Sequence, residues 1–179
     1  EGAGCYGAGL TRHLLAEQVT VHEVPRPDRA LRRQVGKSDS IDAICAARAV
    51  IAGTATAIPK TGTGPVEAIR AIHLARTSAV KARTAAINQL KALLVTAPAS
   101  LRTPLQPLTT TALVTTCAAF RPDADDLTDS TAATKTALRR LARRIKSLTE
   151  EITDADTDLD HLTATVAPTL RALPGVGAH

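Results

Sequence analysis

STAATKTALRRLARRIKSLTEEITDADTDLDHLTATV, residues 130–166, is the stretch whose reading decides most of the fold. Leu138, Leu141, Ile145, Leu148, Ile152, Ala155, Leu159, Leu162 and Val166 alternate by three and four without a break. Four heptads of that spacing predict a long helix with one apolar seam, the pattern of a coiled coil. A seam needs a mate, and residues 66–95 offer one. There Val66, His73, Val80, Ile87 and Leu94 recur every seven residues, with Ile69, Arg76, Arg83 and Leu90 at the half-heptad offset. Between the two, residues 96–129 are rich in Pro and Thr, with a short helix predicted over 108–119.

Charge predicts how the two long helices meet. Over 66–91, Arg70, Arg76, Lys81, Arg83 and Lys91 stand against Glu67, so five cations and one carboxylate leave +4. Over 150–160, Glu150, Glu151, Asp154, Asp156, Asp158 and Asp160 leave −6. An antiparallel hairpin sets the basic start of the first helix beside the acidic end of the second. Arg76 and Arg83 fall at seam positions, where an unpaired guanidinium is costly, so both are expected to reach toward the acidic helix, with a phosphate or a second subunit as the alternative partners. A second basic turn, Arg139, Arg140, Arg143, Arg144 and Lys146, reads either as a solvated face or as a nucleic-acid patch. The imperfect first helix also leaves room for a second subunit, so a homo-oligomer through the coiled coil is expected.

Upstream, the segment Gly36-Lys37-Ser38-Asp39-Ser40-Ile41-Asp42-Ala43 follows a basic, Pro-punctuated stretch carrying Arg26, Arg29, Arg32 and Arg33. Asp39 and Asp42 are three residues apart, neighbours on a helix. Two readings stand. Asp39 can be an N-cap with Asp42 in the first turn, or the pair can hold a hard, oxygen-preferring cation such as Mg²⁺ beside a phosphate-binding surface.

The chain opens Glu1-Gly2-Ala3-Gly4-Cys5-Tyr6-Gly7, then a helical pattern with Leu10, Leu14 and Leu15, then an extended run over 19–25. The order of these segments resembles the insertion-sequence transposases of the IS-one-ten family, relatives of the invertase Piv. Their Glu-x-Thr-Gly-x-Tyr and Lys-Thr/Ser-Asp-x-x-Asp-Ala segments correspond to residues 1–6 and 37–43, with Ala3 in place of the usual Thr. The resemblance implies a RuvC-like, ribonuclease-H-type α/β domain over 1–59, truncated at its N-terminal strands. It further implies a helical coiled-coil region over 60–168 and the start of a second transposase domain, helix-hairpin-helix-like, over 169–179. By it, Glu1, Asp39 and Asp42 are catalytic carboxylates that hold Mg²⁺, and the function is metal-dependent cleavage and rejoining of DNA. Arg26, Arg29, Arg32, Arg33 and Lys37 are the expected nucleic-acid contacts, and a guide-like non-coding RNA is an implied second partner. The family's first Asp and a nucleophilic Ser lie beyond the two ends, and Met is absent, so an internal fragment, inactive alone, is expected. A metal-dependent nuclease or junction resolvase of the same fold, and a non-catalytic DNA-binding coiled-coil module, are the alternative readings.

Composition narrows the field. A net charge of +5 and a pI near 9.5 favour a polyanionic partner. One Tyr and one Phe leave no stacking platform for single-stranded bases. Cys5, Cys45 and Cys117 show no metal-ligand spacing and no disulfide framework, which suits a reducing, cytoplasmic setting. No apolar run is long enough to span a bilayer, so no membrane contact is expected.

Overall fold

The computed structural model describes residues 6–24, 39–60, 62–122 and 127–177, with the Asp39 side chain excluded. The chain divides into two compact units, Glu1–Gly64 and Pro65–His179.

Among the described residues of the first unit, α1 (Ala8–Ala16) and α2 (Asp39–Ile51) are the regular elements. The α/β expectation fails here: no strand or sheet is found among the described residues, and the molecule is mostly helical. The extended runs near 19–24 and 54–59 meet at one antiparallel bridge, Glu23 with Ala57, where the Glu23 N–H donates to the Ala57 carbonyl at 2.8 Å. The sequence explains why the pairing does not spread. Pro25 and Pro59 each lie two residues beyond the bridge and supply no N–H to a ladder. A lone pair of extended segments, with no third strand, is at best marginal in water.

The C-terminus of α2 is closed by Gly53, whose φ of +68° favours glycine. Thr54 N–H reaches back to Ala49 O at 3.0 Å and Gly53 N–H to Val50 O at 3.0 Å. That crossed pair satisfies carbonyls a helix end would otherwise leave open. In α1, Leu14 and Leu15 are half-buried while Leu10 faces outward, so the predicted apolar stripe is only partly used.

The second unit is built on two long helices, α3 (Pro65–Thr96) and α6 (Ser130–Val166). Pro65 starts α3, where its missing N–H costs nothing. Asp129 caps α6, its Oδ2 accepting from Ala132 N–H at 2.8 Å. Between them come α4 (Ala99–Leu105) and α5 (Thr110–Ala118), the latter capped by Thr109, whose hydroxyl accepts from Ala112 N–H at 3.3 Å. A short α7 (Pro168–Arg171) follows α6. After α7 the chain forms a β-turn: Val176 N–H bonds Leu173 O at 3.2 Å, with Pro174 second and Gly175 third at φ +81°. Proline then positive-φ glycine is the type II pattern.

The pairing of α3 with α6 is antiparallel. Arg76 bonds Asp156, Ile87 lines one groove with Ile145, and Leu90 and Leu94 share a core with Leu138 and Ala142. Each step forward on α3 is thus a step back on α6. The α6 seam follows the heptads: Leu138 and Leu159 are fully buried, with Ile145 and Ile152 nearly so. The α3 seam is rotated from the expected one. It runs Ile69, Ile72, Arg76, Ala79, Arg83, Ala86, Leu90, while Val66 and His73 are exposed and Val80 and Ile87 half-buried. Position 73 sits one residue, about 100°, beyond 72 on the helix. Ala79 and Ala86 are small enough for the two backbones to approach closely, and their burial sets the phase. Leu101, Leu105, Leu113, Val114 and Cys117 from α4 and α5 complete the core beside Leu138 and Ala142. Burial pushes the Cys117 thiol up to about 11, which keeps it protonated.

Candidate functional site

Most of the sequence-predicted site falls outside the described residues. Glu1, Arg26, Arg29, Arg32, Arg33 and Lys37 lie there, as does the side chain of Asp39. Asp39 is the first residue of α2 and Asp42 lies three positions on, in the first turn. The Asp42 side chain is half-buried and has a partner of its own. Among the described residues no three His, Cys, Asp or Glu side chains gather as metal ligands. The described part of the implied Mg²⁺ site is therefore one carboxylate, Asp42.

The second unit sorts its charges in a way the sequence does not display. Ion pairs among the described residues include Arg70–Glu67 at 2.5 Å, Arg76–Asp156, and Arg171–Asp160 at 2.8 Å. The expectation that both seam arginines reach the acidic helix holds for Arg76 alone. Seven residues earlier than Asp156 on α6 is Thr149, so the position facing Arg83 carries a hydroxyl instead of a carboxylate. That hydroxyl donates to Ile145 O at 2.7 Å. Arg83 remains half-buried and without an ion pair among the described residues.

Two adjoining grooves take up this spare charge, both lined by Thr110 at the start of α5. The larger, ≈ 680 Å³, brings together Lys91 of α3, Arg102 of α4, Gln106 and Thr109. The smaller, ≈ 380 Å³, has Ile87, Val114 and Ile145 as its apolar floor, with Arg83, Lys146, Glu150 and several threonine hydroxyls around it. Four cations thus stand against one carboxylate. Arg102 is held in place by its Nη1, which donates to Val95 O at 3.4 Å. The amino end of α5 adds its positive dipole end and hydroxyl donors to the larger groove. The rest of the larger groove's lining is apolar, Leu94, Val95, Leu105, Leu108 and Leu113, so the cations stand at the edge of a hydrophobic surface.

Sequence reasoning passed over Lys91 and Arg102 as site residues, because they come from different helices and form no local cluster. The nearest signal was the surplus of cations on the first long helix. The predicted patch Arg139, Arg140, Arg143, Arg144 and Lys146 splits on folding. Lys146 joins the smaller groove, whereas Arg140, Arg143 and Arg144 are exposed elsewhere on α6.

Comparison with protein-family models, curated proteins and solved structures finds no match for this chain. Among the described residues no helix is long and apolar enough to cross a membrane.

Proposed function

We propose that this chain serves DNA transposition or recombination in the cytoplasm, and that its second unit is the helical module that holds nucleic acid. The observation that carries this reading is the convergence of Arg83, Lys91, Arg102 and Lys146 on the two adjoining grooves. The resemblance of residues 1–6 and 37–43 to the insertion-sequence transposases supplies the reaction class, strand cleavage and rejoining. Double-stranded nucleic acid suits the site better than single strands, because neither groove offers an aromatic side chain for a base to stack on. The contacts are to phosphate, so DNA and a structured RNA are both ligands of the same chemistry. With no three-ligand cluster among the described residues, no step is assigned to a metal, and the chain alone is expected to leave supercoiled plasmid intact in the presence of Mg²⁺.

Fluorescence anisotropy with a labelled DNA duplex tests the binding. Each neutralised phosphate contributes a slope of about −0.9 in log affinity against log salt, so four cations give roughly −3 to −4. The double variant Lys91→Glu, Arg102→Glu should weaken binding at least about tenfold and flatten that slope by about two. Binding that ignores both salt and this variant rules the grooves out. A competing RNA duplex in the same assay tells which nucleic acid is preferred.

A further inference from the structure

The outward face of α6 is self-complementary in charge, and we infer that it pairs two copies of this chain antiparallel about a two-fold axis through Ser147. Residues 140, 143, 144, 147, 150, 151, 154 and 158 are spaced by threes and fours and so share one face of the helix. All eight are exposed. Along this face three arginines, Arg140, Arg143 and Arg144, come first, then Ser147, then Glu150, Glu151, Asp154 and Asp158. A rotation that exchanges the two directions of the helix about Ser147 sets Arg140 against Asp154, Arg143 against Glu151 and Arg144 against Glu150. Every arginine meets a carboxylate, and the symmetry repeats each pair. An interface of this kind, in which residue i touches j and j touches i, is what a closed dimer requires.

The packing within one chain leaves this face unspent. Asp156 and Asp160 are taken by Arg76 and Arg171, whereas none of the three arginines or the other four acids has an ion pair among the described residues. Beside the acidic half runs a groove of ≈ 440 Å³, lined by Ile72, Ala75, Glu150, Glu151, Asp154 and Asp158. It offers an incoming guanidinium both carboxylates and an apolar surface for its stem, the combination long basic side chains favour. The apolar seam is filled by α3 within the same chain, so a second copy cannot use it. A nucleic acid is the poorer occupant of this face, because half of it repels phosphate. The pairing uses none of the four groove cations; of the eight face residues only Glu150 also lines the smaller groove, so self-association and nucleic-acid binding are read separately on each variant.

Exposed ion pairs are individually weak, so a weak dimer, tightest at low salt, is expected. Sedimentation velocity on the 179-residue chain tests this directly, with far-UV circular dichroism confirming that each variant stays folded. The wild type should be dimeric at low salt and dissociate as rising salt shortens the screening length. Arg140→Glu, Arg143→Glu, Arg144→Glu in one chain, and Glu150→Arg, Glu151→Arg, Asp154→Arg in another, should each weaken self-association at least about tenfold, since each sets like charges opposite one another. Mixed in equal amounts, the two variants should form a heterodimer, because their reversed faces complement each other. A monomeric wild type at low salt, a dimer untouched by either reversal, two folded variants that stay apart on mixing, or dimerisation that occurs only with DNA present would each overturn the inference.

Discussion

Replacing Arg83 by Leu should stabilise the second unit, while the same change at Arg76 should destabilise it. The two arginines occupy equivalent seam positions one heptad apart. Arg76 bonds Asp156, with side-chain exposures of 19% and 35%. Arg83 faces Thr149, whose hydroxyl is already committed to the backbone. A polar group held away from water without a partner costs about 1–3 kcal/mol by mutational measures. Arg83 is only half-buried, so the lower end applies. Leu would pack on the neighbouring Ile87 and Ile145 where the arginine stem now lies, and a net gain of about 1 kcal/mol follows. At Arg76, Leu removes a partly buried ion pair with Asp156, so the loss should be about 1–2 kcal/mol. Seven residues of helix separate the sites by about 10 Å, far enough for the double variant to be additive within about 0.5 kcal/mol. Urea titration followed by circular dichroism would read all three, and a shift of several degrees in Tm should accompany each change. Equal destabilisation at both positions would refute the reasoning, since it would mean that Arg83 has a native partner as good as Asp156. The stabilised Arg83→Leu protein should also bind DNA less tightly, a trade of function for stability.

Leu138→Ala, at a fully buried position shared by α3, α5 and α6, should cost about 2–5 kcal/mol in a urea titration. Leu148→Ala, at a half-buried position one turn off the seam centre, should cost markedly less, and equal costs would contradict the burial pattern of α6. Cys117 gives a pH prediction with a definite sign. Its folded-state value near 11 exceeds that of an unfolded thiol, about 8.5. The unfolded chain therefore sheds the proton first, and stability falls as pH rises from about 8.5 toward 11 at up to about 1.4 kcal/mol per unit. Cys117→Ala should lack this component of the slope, and identical slopes in the two proteins would argue against a buried thiol.

What the sequence made legible was the part carried by local periodicity. The three-and-four alternation placed α3 and α6 to within about a residue, and Thr109 and Asp129 are N-caps of ordinary type. The phase of the α3 seam was not legible, because Val66, His73, Val80 and Ile87 compete with a second stripe in which buried alanines count for little on a hydropathy reading. Close helix approach rewards small residues, and that preference appears only once the mate is in place. The α/β expectation rested on the resemblance of residues 1–6 and 37–43 to the transposases and not on strand periodicity, and the extended run read over 19–25 ends in a proline. The groove cations were invisible for a different reason: Arg83, Lys91, Arg102 and Lys146 come from three helices and meet only after α4 and α5 fold back onto the hairpin. Glu1, the side chain of Asp39 and the five basic residues from Arg26 to Lys37 fall outside the described residues.

The antiparallel register has a geometric consequence. Continuing the match of Arg76 with Asp156 along the hairpin sets Val66 opposite Val166, so the start of α3 and the end of α6 lie at the same end of the second unit. The cationic grooves lie near Lys91, about 38 Å along α3 at 1.5 Å per residue. Within this unit the cationic grooves thus lie toward the end of the hairpin away from Pro65 and Val166. Length added by whole heptads to both long helices would carry those grooves farther from that end while leaving the packing at either end unchanged.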